Sequence, residues 1–411
     1  MEGPDLYSQA GGLGVRMSEL SRALAEGGYE THLFFAGDPK LPGVEKLVSG
    51  RLTYHRWCQW ISRYHPLGVY DGEEGKCLDF ERSLPPWVMQ HVLLAQPRKN
   101  VVILSEEWHM ANTTIALSQL VAGANQQNRT FFLWNANNTF GFHRINWYAL
   151  QKHATLTTVS RYMKQEMLWR HHVPSWVIPN GIPKRWLSPI PLEKSRELSK
   201  AFSCDLLLAK VGRFDPDKRW VMAIQSMAML KRLGYRPKLL MRGGMESHGE
   251  EVRQIAWTLG LEIASIKLPK EAPLPLLLQA LKENPKADIA DLRFHISEEM
   301  QRVIYRGVDA VLANSRHEPF GLVGLEVMAC GGVAITGNTG EDYAKNFHNA
   351  LMVESDDPSE LTTYLASLAK EPSLGERLRI AGRESAKTFL WDLVIEELKQ
   401  KLICLRLSRE G

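Results

Sequence analysis

The chain has 411 residues, enough for two domains of ordinary size. Hydrophobic residues make up 44% and charged residues 23%, a globular balance, and a net charge of +4 is too weak to argue for nucleic acid although it suits an anionic small ligand. Five scattered cysteines (Cys58, Cys77, Cys204, Cys330, Cys404) form no C-x-x-C pair, and the sequence shows neither a signal peptide nor a membrane-spanning apolar run, so a reduced, cytoplasmic setting is expected.

Taken in order, Q-A-G-G-L-G (Gln9–Gly14) opens an amphipathic helix over Gly14–Gly27, with Met17, Leu20 and Leu24 on one face. Gly11 and Gly12 would let a ligand approach the backbone, and a helix entrance offers free N–H donors to an anion; a tight turn would use the same pair. A strand is expected at Thr31–Ala36. Arg51–Trp87 reads as an irregular, aromatic-rich region containing Tyr54, Trp57, Trp60, Tyr64, Tyr70, Phe80 and Trp87. The strand Val101–Leu104 leads into S-E-E-W-H (Ser105–His109). There His109 is an acid/base, a sugar contact or a satisfied structural histidine, and Glu106 and Glu107 are ligand contacts or helix-start acids. After the strand Thr130–Trp134, the amides Asn135, Asn137 and Asn138 either bind hydroxyls or cap turns. Strands Thr155–Val159 and Trp176–Ile178 follow, with a helix over Tyr162–His172 between them. I-P-N-G-I-P (Ile178–Pro183) is a turn-rich break and marks a domain boundary.

A second set of strands covers Leu206–Val211, Lys238–Met241, Ala310–Ala313, Val333–Thr336 and Leu351–Val353. These runs lack strict alternation, as strands buried on both faces do. The first leads into V-G-R-F-D-P-D-K-R-W (Val211–Trp220), which puts Arg213 and Lys218 at a strand's carboxyl end, where two cations would neutralise a diphosphate. R-G-G-M (Arg242–Met245) reads as a plain turn, and Pro269–Ala290 as an inserted helical excursion. R-H-E-P-F-G-L-V-G-L-E-V-M-A (Arg316–Ala329) sets Glu318 and Glu326 eight positions apart. Pro319 and Gly321 place the first acid in a loop and the second on the helix that follows, an arrangement suited to an elongated, hydroxyl-rich ligand. Gly337 and Gly340 lie after the next strand. The last helix, Leu390–Leu407, is expected to cross back to the first domain. Alternating strands and helices in two sets imply an α/β chain of two doubly wound, Rossmann-like domains facing across a cleft: residues 1–184 with 390–411, and 185–389. No Walker A, H-E-x-x-H or G-x-S-x-G motif is present and no metal site is expected.

G-G-L-G, V-G-R-F-D-P-D-K and H-E-P-F-G-L-V-G-L-E together resemble the family-4 retaining glycosyltransferases, which have the GT-B fold and include glycogen, starch and sucrose-phosphate synthases. The last element matches the family's E-x7-E. The resemblance implies that Gly11 and Gly12 approach the donor's diphosphate and sugar, that Arg213 and Lys218 hold the diphosphate, and that Glu318 meets the transferred sugar's hydroxyls. It further implies that Glu326 binds the ribose, that Phe320, Gly321 and Leu322 line the donor site, and that backbone groups at His295–Ser297, Ile296 among them, meet the base. The implied activity is metal-independent, retaining transfer of a hexose from a UDP- or ADP-sugar to a saccharide or glycoside. No cofactor is implied.

Three positions depart from the family. Gln9 stands where glycogen and starch synthases have a lysine. Glu106 stands where many members have a histidine, with His109 one helical turn on. The chain also starts almost at the glycine loop, where members have an apolar strand. Two alternatives therefore stay open: a nucleotide-sugar-binding protein without catalysis, and a phosphorylase-like enzyme. The acceptor is expected on the first domain, on the aromatic region from Tyr54 to Trp87. The basic face of Tyr162–His172 is either solvated or a contact for anionic lipid-linked acceptors.

Overall fold

The computed structural model describes residues 1–270 and 272–410. The chain forms two compact units, Met1–Pro183 with Phe389–Gly411, and Lys184–Thr388.

The first unit carries seven strands: β1 (Thr31–Ala36), β2 (Val44–Leu47), β3 (Leu52–Trp57), β4 (Val101–Glu106), β5 (Thr130–Ala136), β6 (Thr155–Thr158) and β7 (Trp176–Val177). They form two sheets, ordered β1-β3-β2 and β4-β5-β6-β7. All pairs are parallel except β2 with β3. β5 is buried along its whole length, and its alternating side chains feed two cores. Phe132 joins Phe80, Leu84 and Leu117, whereas Leu133 joins Leu20, Ile178 and Trp391. The final helix, Trp391–Glu410, thus packs on the helix Gly12–Glu26 through Leu20, Val394 and Leu398.

The second unit is one seven-stranded, all-parallel sheet: β8 (Leu206–Val211), β9 (Pro237–Arg242), β10 (Ile263–Ile266), β11 (Ile289–Leu292), β12 (Ala310–Ala313), β13 (Ala334–Thr336) and β14 (Leu351–Met352). In its order, β10-β11-β9-β8-β12-β13-β14, the strands β9 to β11 lie on one side of β8 and β12 to β14 on the other. The β8/β12 junction is therefore the point where the winding reverses, and in open α/β sheets the crevice beyond such a junction is where ligands bind. β8, β9, β11 and β13 are buried almost throughout, which explains the apolar runs of β8, β9 and β13.

Two sequence readings are corrected. Arg51–Trp87 is regular: it holds β3 and a helix over Glu73–Val88. β3 escaped notice because L-T-Y-H-R-W lacks an apolar run. Its Arg56 is buried through bonds to Asp5, at 2.9 Å, and to Glu45, at 2.6 Å. Pro269–Ala290 is not an insertion but the crossover between β10 and β11. It contains a helix over Leu274–Glu283, ends inside β11, and includes Glu271, which lies outside the described residues. β11 was hidden by Asp291, whose buried carboxylate bonds Arg253 at 2.9 Å and Arg293 at 2.8 Å.

Candidate functional site

Three loops leave the carboxyl ends of adjacent strands β8, β12 and β13. The loop after β8 ends in a 3-10 turn, Pro216–Lys218, capped by Asp215. Its Asp217 carbonyl accepts from Arg316 N–H at 2.7 Å and joins it to the loop after β12. The loop after β13 clasps the same segment. Thr339 Oγ1 accepts from Glu318 N–H at 2.8 Å and donates to Glu318 O at 3.1 Å, and Gly340 N–H donates to Glu318 O at 2.8 Å. A side chain at position 340 is excluded, since a Cβ there would lie 2.1 Å from Pro319 O.

This clasp fixes Glu318, whose carboxylate accepts from Lys218 Nζ as an ion pair. Both side chains are partly exposed, at 28% for Lys218 and 20% for Glu318, so the pair borders open space. Arg213, on the same β8 loop, is exposed, and its carbonyl accepts from Trp220 Nε1 at 2.7 Å. Beneath them Lys210 is buried and donates to Leu312 O at 3.0 Å and Asn314 Oδ1 at 2.6 Å. Burial, with Lys218 and Arg219 nearby, holds its ammonium well below the ordinary lysine range.

Glu341 completes the cluster. Its Oε2 accepts from Thr339 N–H at 3.1 Å, while Oε1 is buried without a protein partner. Burial first, and the neighbouring Glu318 second, push its carboxyl up to about 8, so near neutrality it is protonated and able to donate. Gly321 takes φ +78 and leads into the helix Leu322–Ala329, which carries Glu326. Tyr343 O–H donates to Gly321 O, and burial first, then Glu341, Glu318 and Glu326, hold its phenol well above the ordinary tyrosine range. Phe320 is buried with its ring 5.7 Å from that of Tyr343, and Leu322 is half-buried. Ile296 lies in the loop after β11, just before Ser297, which caps the helix Glu298–Gly307.

The first unit places its candidates differently. Gly11 and Gly12 stand open at the entrance of the helix Gly12–Glu26. Three of the donors there have a partner: Glu2 Oε2 accepts from Ala10, Gly11 and Gly14 N–H at 3.2, 3.1 and 2.8 Å. Glu106 is buried in a clasp. It accepts from Arg16 at 3.1 Å, Asn135 at 2.8 Å and Asn137 at 2.6 Å, and Arg16 also donates to Asn180 at 2.6 Å. His109 is buried between Tyr70 and Trp108, with Nε2 2.7 Å from Glu73. Burial lowers its pKa to about 3, which keeps the ring neutral. Glu107, at φ +70, is likewise buried and raised to about 8. Of the aromatic acceptor candidates, Tyr54 and Phe80 are core residues, whereas Trp60 and Tyr64 are exposed.

The profile of the family described as glycosyl transferases group 1 matches residues 193–385. That segment is similar to the glycosyl transferases group 1 family. A D-inositol 3-phosphate glycosyltransferase of Actinosynnema mirum is 26% identical over 232 residues, 54% of this chain, and the match spans about half of that relative's length, 50%. Sucrose-phosphate synthase from Thermosynechococcus elongatus superposes with a TM-score of 0.69 at 20% identity, covering 97% of this chain and 94% of that one. The Anabaena protein HepE, solved in complex with UDP-glucose, superposes with a TM-score of 0.55 at 14% identity over 79% of this chain and 84% of its own. The fold is GT-B.

Within the group 1 segment the structure brings Lys218, Glu318 and the glycines of both clasping loops together, as their strand-end positions in the sequence required. Sequence reasoning missed Thr339, Glu341 and Lys210. Thr339 and Glu341 lie in the glycine-bearing loop after β13, and that loop's glycines were the available signal. Lys210, an interior lysine in an apolar strand, was visible as an oddity in L-L-L-A-K-V. Glu2 had no sequence signal, because its role depends on a fold-back of the chain.

Proposed function

We propose that this chain is a retaining, metal-independent glycosyltransferase that moves a hexose from a UDP- or ADP-sugar to a saccharide or glycoside acceptor. The observation that carries the reading is the Lys218–Glu318 pair at the sheet's switch point, with the buried Glu341 carboxyl beside it. In this reading Lys218 and Arg213 take the donor diphosphate. Glu318, released from Lys218, accepts hydrogen bonds from the sugar's hydroxyls, and Glu326 takes the ribose. The bond from the anomeric carbon to the diphosphate oxygen breaks as the acceptor hydroxyl bonds to that carbon on the same face. The acceptor's proton passes to the departing diphosphate oxygen. The chain's contribution is charge stabilisation and positioning, effects worth several kcal/mol each where water is excluded. Glu106 and His109, buried and already partnered, act as positioning groups in this reading. HepE's UDP-glucose favours UDP-glucose as the first donor to try.

The test is a donor screen with radiolabelled UDP- and ADP-sugars against a panel of acceptors. Transfer or slow hydrolysis of one sugar nucleotide supports the reading; folded protein that turns over none of them contradicts it. The clasp on Glu106 favours a second reading, nucleotide-sugar binding without turnover. Calorimetry showing tight UDP binding by protein inert in every screen selects that alternative.

A further inference from the structure

Strand β8 leaves one neighbour before the other. It stays paired with β9 as far as Val211 opposite Arg242, but its pairing with β12 ends at Ala209 opposite Val311. β12 meanwhile stays with β13 as far as Ala313. The ends of β8 and β12 therefore diverge as the prongs of a fork. By the alternation of a parallel ladder, the next rung would run from Val211 N–H to Leu312 O. Leu312 O accepts instead from the ammonium of Lys210, at 3.0 Å. A side chain stands in for the missing rung.

The same ammonium reaches both loops that leave the fork. It donates to Asn314 Oδ1 at 2.6 Å, at the start of the Glu318 loop. It also lies 5.1 Å from the ring centre of Trp220, whose Nε1 holds the carbonyl of Arg213 at 2.7 Å. Lys210, Asn314 and Trp220 are all buried. No carboxylate bonds Lys210 among the described residues, and Glu318 is engaged by Lys218. A methionine would fill this place without desolvating a charge, so packing alone does not account for a lysine here. Burial acts most strongly against the ammonium. Lys218 and Arg219, from the loop after β8, act with it, and Glu318, from the loop after β12, acts the other way. The neighbours Met241 on β9, Leu312 on β12 and Trp220 on the helix Trp220–Arg232 carry no charge. A diphosphate in the crevice beyond the fork would supply the missing negative charge.

We propose that Lys210 is a positioning residue of the donor site: its ammonium spaces the Lys218 and Glu318 loops and is a buried counter-charge to the donor's diphosphate. This rests on the donor reading given above. An anion in the crevice favours the charged amine. Where part of the free protein holds Lys210 neutral, donor binding therefore draws a proton from solvent onto Nζ. Donor affinity then falls as pH rises through the range in which free Lys210 loses its proton.

Calorimetric titration with UDP-glucose in the absence of acceptor tests this. That ligand is a diphosphate diester with no group titrating near neutrality. Lys210→Met, close in length and uncharged, is expected to bind it about 10-fold more weakly than wild type near pH 6, and the ratio is expected to shrink to about 3 or less by about pH 9. Glu318 and Glu341 are present in both proteins and cancel in the ratio. A deficit that stays constant with pH marks a structural strut only and overturns the proposal, as does a ratio near one throughout. Should Lys210→Met not fold, proton uptake reads the proposal with Lys210 in place. In the Glu341→Gln protein, binding heats in two buffers of unlike ionisation enthalpy are expected to show uptake of a fraction of a proton, and no uptake anywhere between about pH 6 and pH 9 overturns the proposal. Wild-type protein that binds neither UDP-glucose nor ADP-glucose overturns the donor reading itself, and this proposal with it.

Discussion

Lys218 and Glu318 stand 100 residues apart in the chain and meet as an ion pair beyond β8 and β12, where the sheet's winding reverses. The pair is partly exposed, so its contribution to stability is small, and in the proposed function its two opposite charges meet the donor. Lys218→Ala is expected to cut transfer from UDP-glucose by about 100-fold or more while leaving Tm within a few degrees. Lys218→Arg should restore part of the rate. Initial rates and melting curves check both, and a near-normal rate for the alanine variant removes Lys218 from the mechanism.

Glu341 makes stability depend on pH. The ordinary glutamate value is 4.5, and burial raises this one to about 8. Between those values the folded chain keeps a proton that the unfolded chain has lost. Stability therefore falls as pH rises through this window and levels off above it. Glu341→Gln keeps a neutral amide in place and should make this slope shallower, leaving the part that the buried Glu107 contributes. Urea midpoints at about pH 5 and pH 8 read the difference, and an equal slope in both proteins would remove Glu341 as its source.

The clasp between the loops after β12 and β13 tolerates no side chain at position 340, because a Cβ would sit 2.1 Å from Pro319 O and 2.2 Å from Glu318 O. Gly340→Ala is expected to cost about 1–3 kcal/mol and to raise KM for the donor by displacing Glu318. Thr339→Val, which deletes both hydroxyl bonds to Glu318, should cost about 1–2 kcal/mol in the same direction. Chemical denaturation and donor titration measure the two effects separately.

Glu2 places a negative charge at the entrance of the helix Gly12–Glu26, which the proposed function would offer to an anionic donor. Glu2→Gln retains an acceptor for the amides and removes the charge. Donor KM is expected to fall several-fold, as a change of about 1 kcal/mol in a helix-terminus interaction gives. An unchanged KM would mean that this entrance lies outside the donor's reach.

The Glu106 clasp is buried and charged, so removing one partner leaves the other uncompensated. Glu106→Ala is expected to cost about 3–5 kcal/mol, and Arg16→Ala about as much. The double variant should cost less than the sum of the two. Denaturation of the three proteins tests this, and simple additivity would contradict it.

Strands buried on both faces announced themselves through apolar runs, as in L-L-L-A-K-V and T-F-F-L-W, and the loops after them located Lys218 and Glu318. What stayed hidden depends on pairing across the chain. β3 and β11 carry Arg56 and Asp291 into the interior, and neither looks like a core residue until Asp5, Glu45, Arg253 and Arg293 are seen around it. Glu341 reads as one more surface acid until burial is known. Glu106 and His109 stood out in the sequence as candidate ligand or acid/base groups, but their partners, Arg16 and Glu73, could not be inferred from spacing.

The most direct measurement is a crystal structure of the chain with UDP-glucose bound. The account predicts the diphosphate within hydrogen-bonding distance of Lys218 Nζ and the Arg213 guanidinium, with Glu318 turned from Lys218 to the glucose hydroxyls. A donor bound away from these three residues, with the Lys218–Glu318 pair intact, would contradict it.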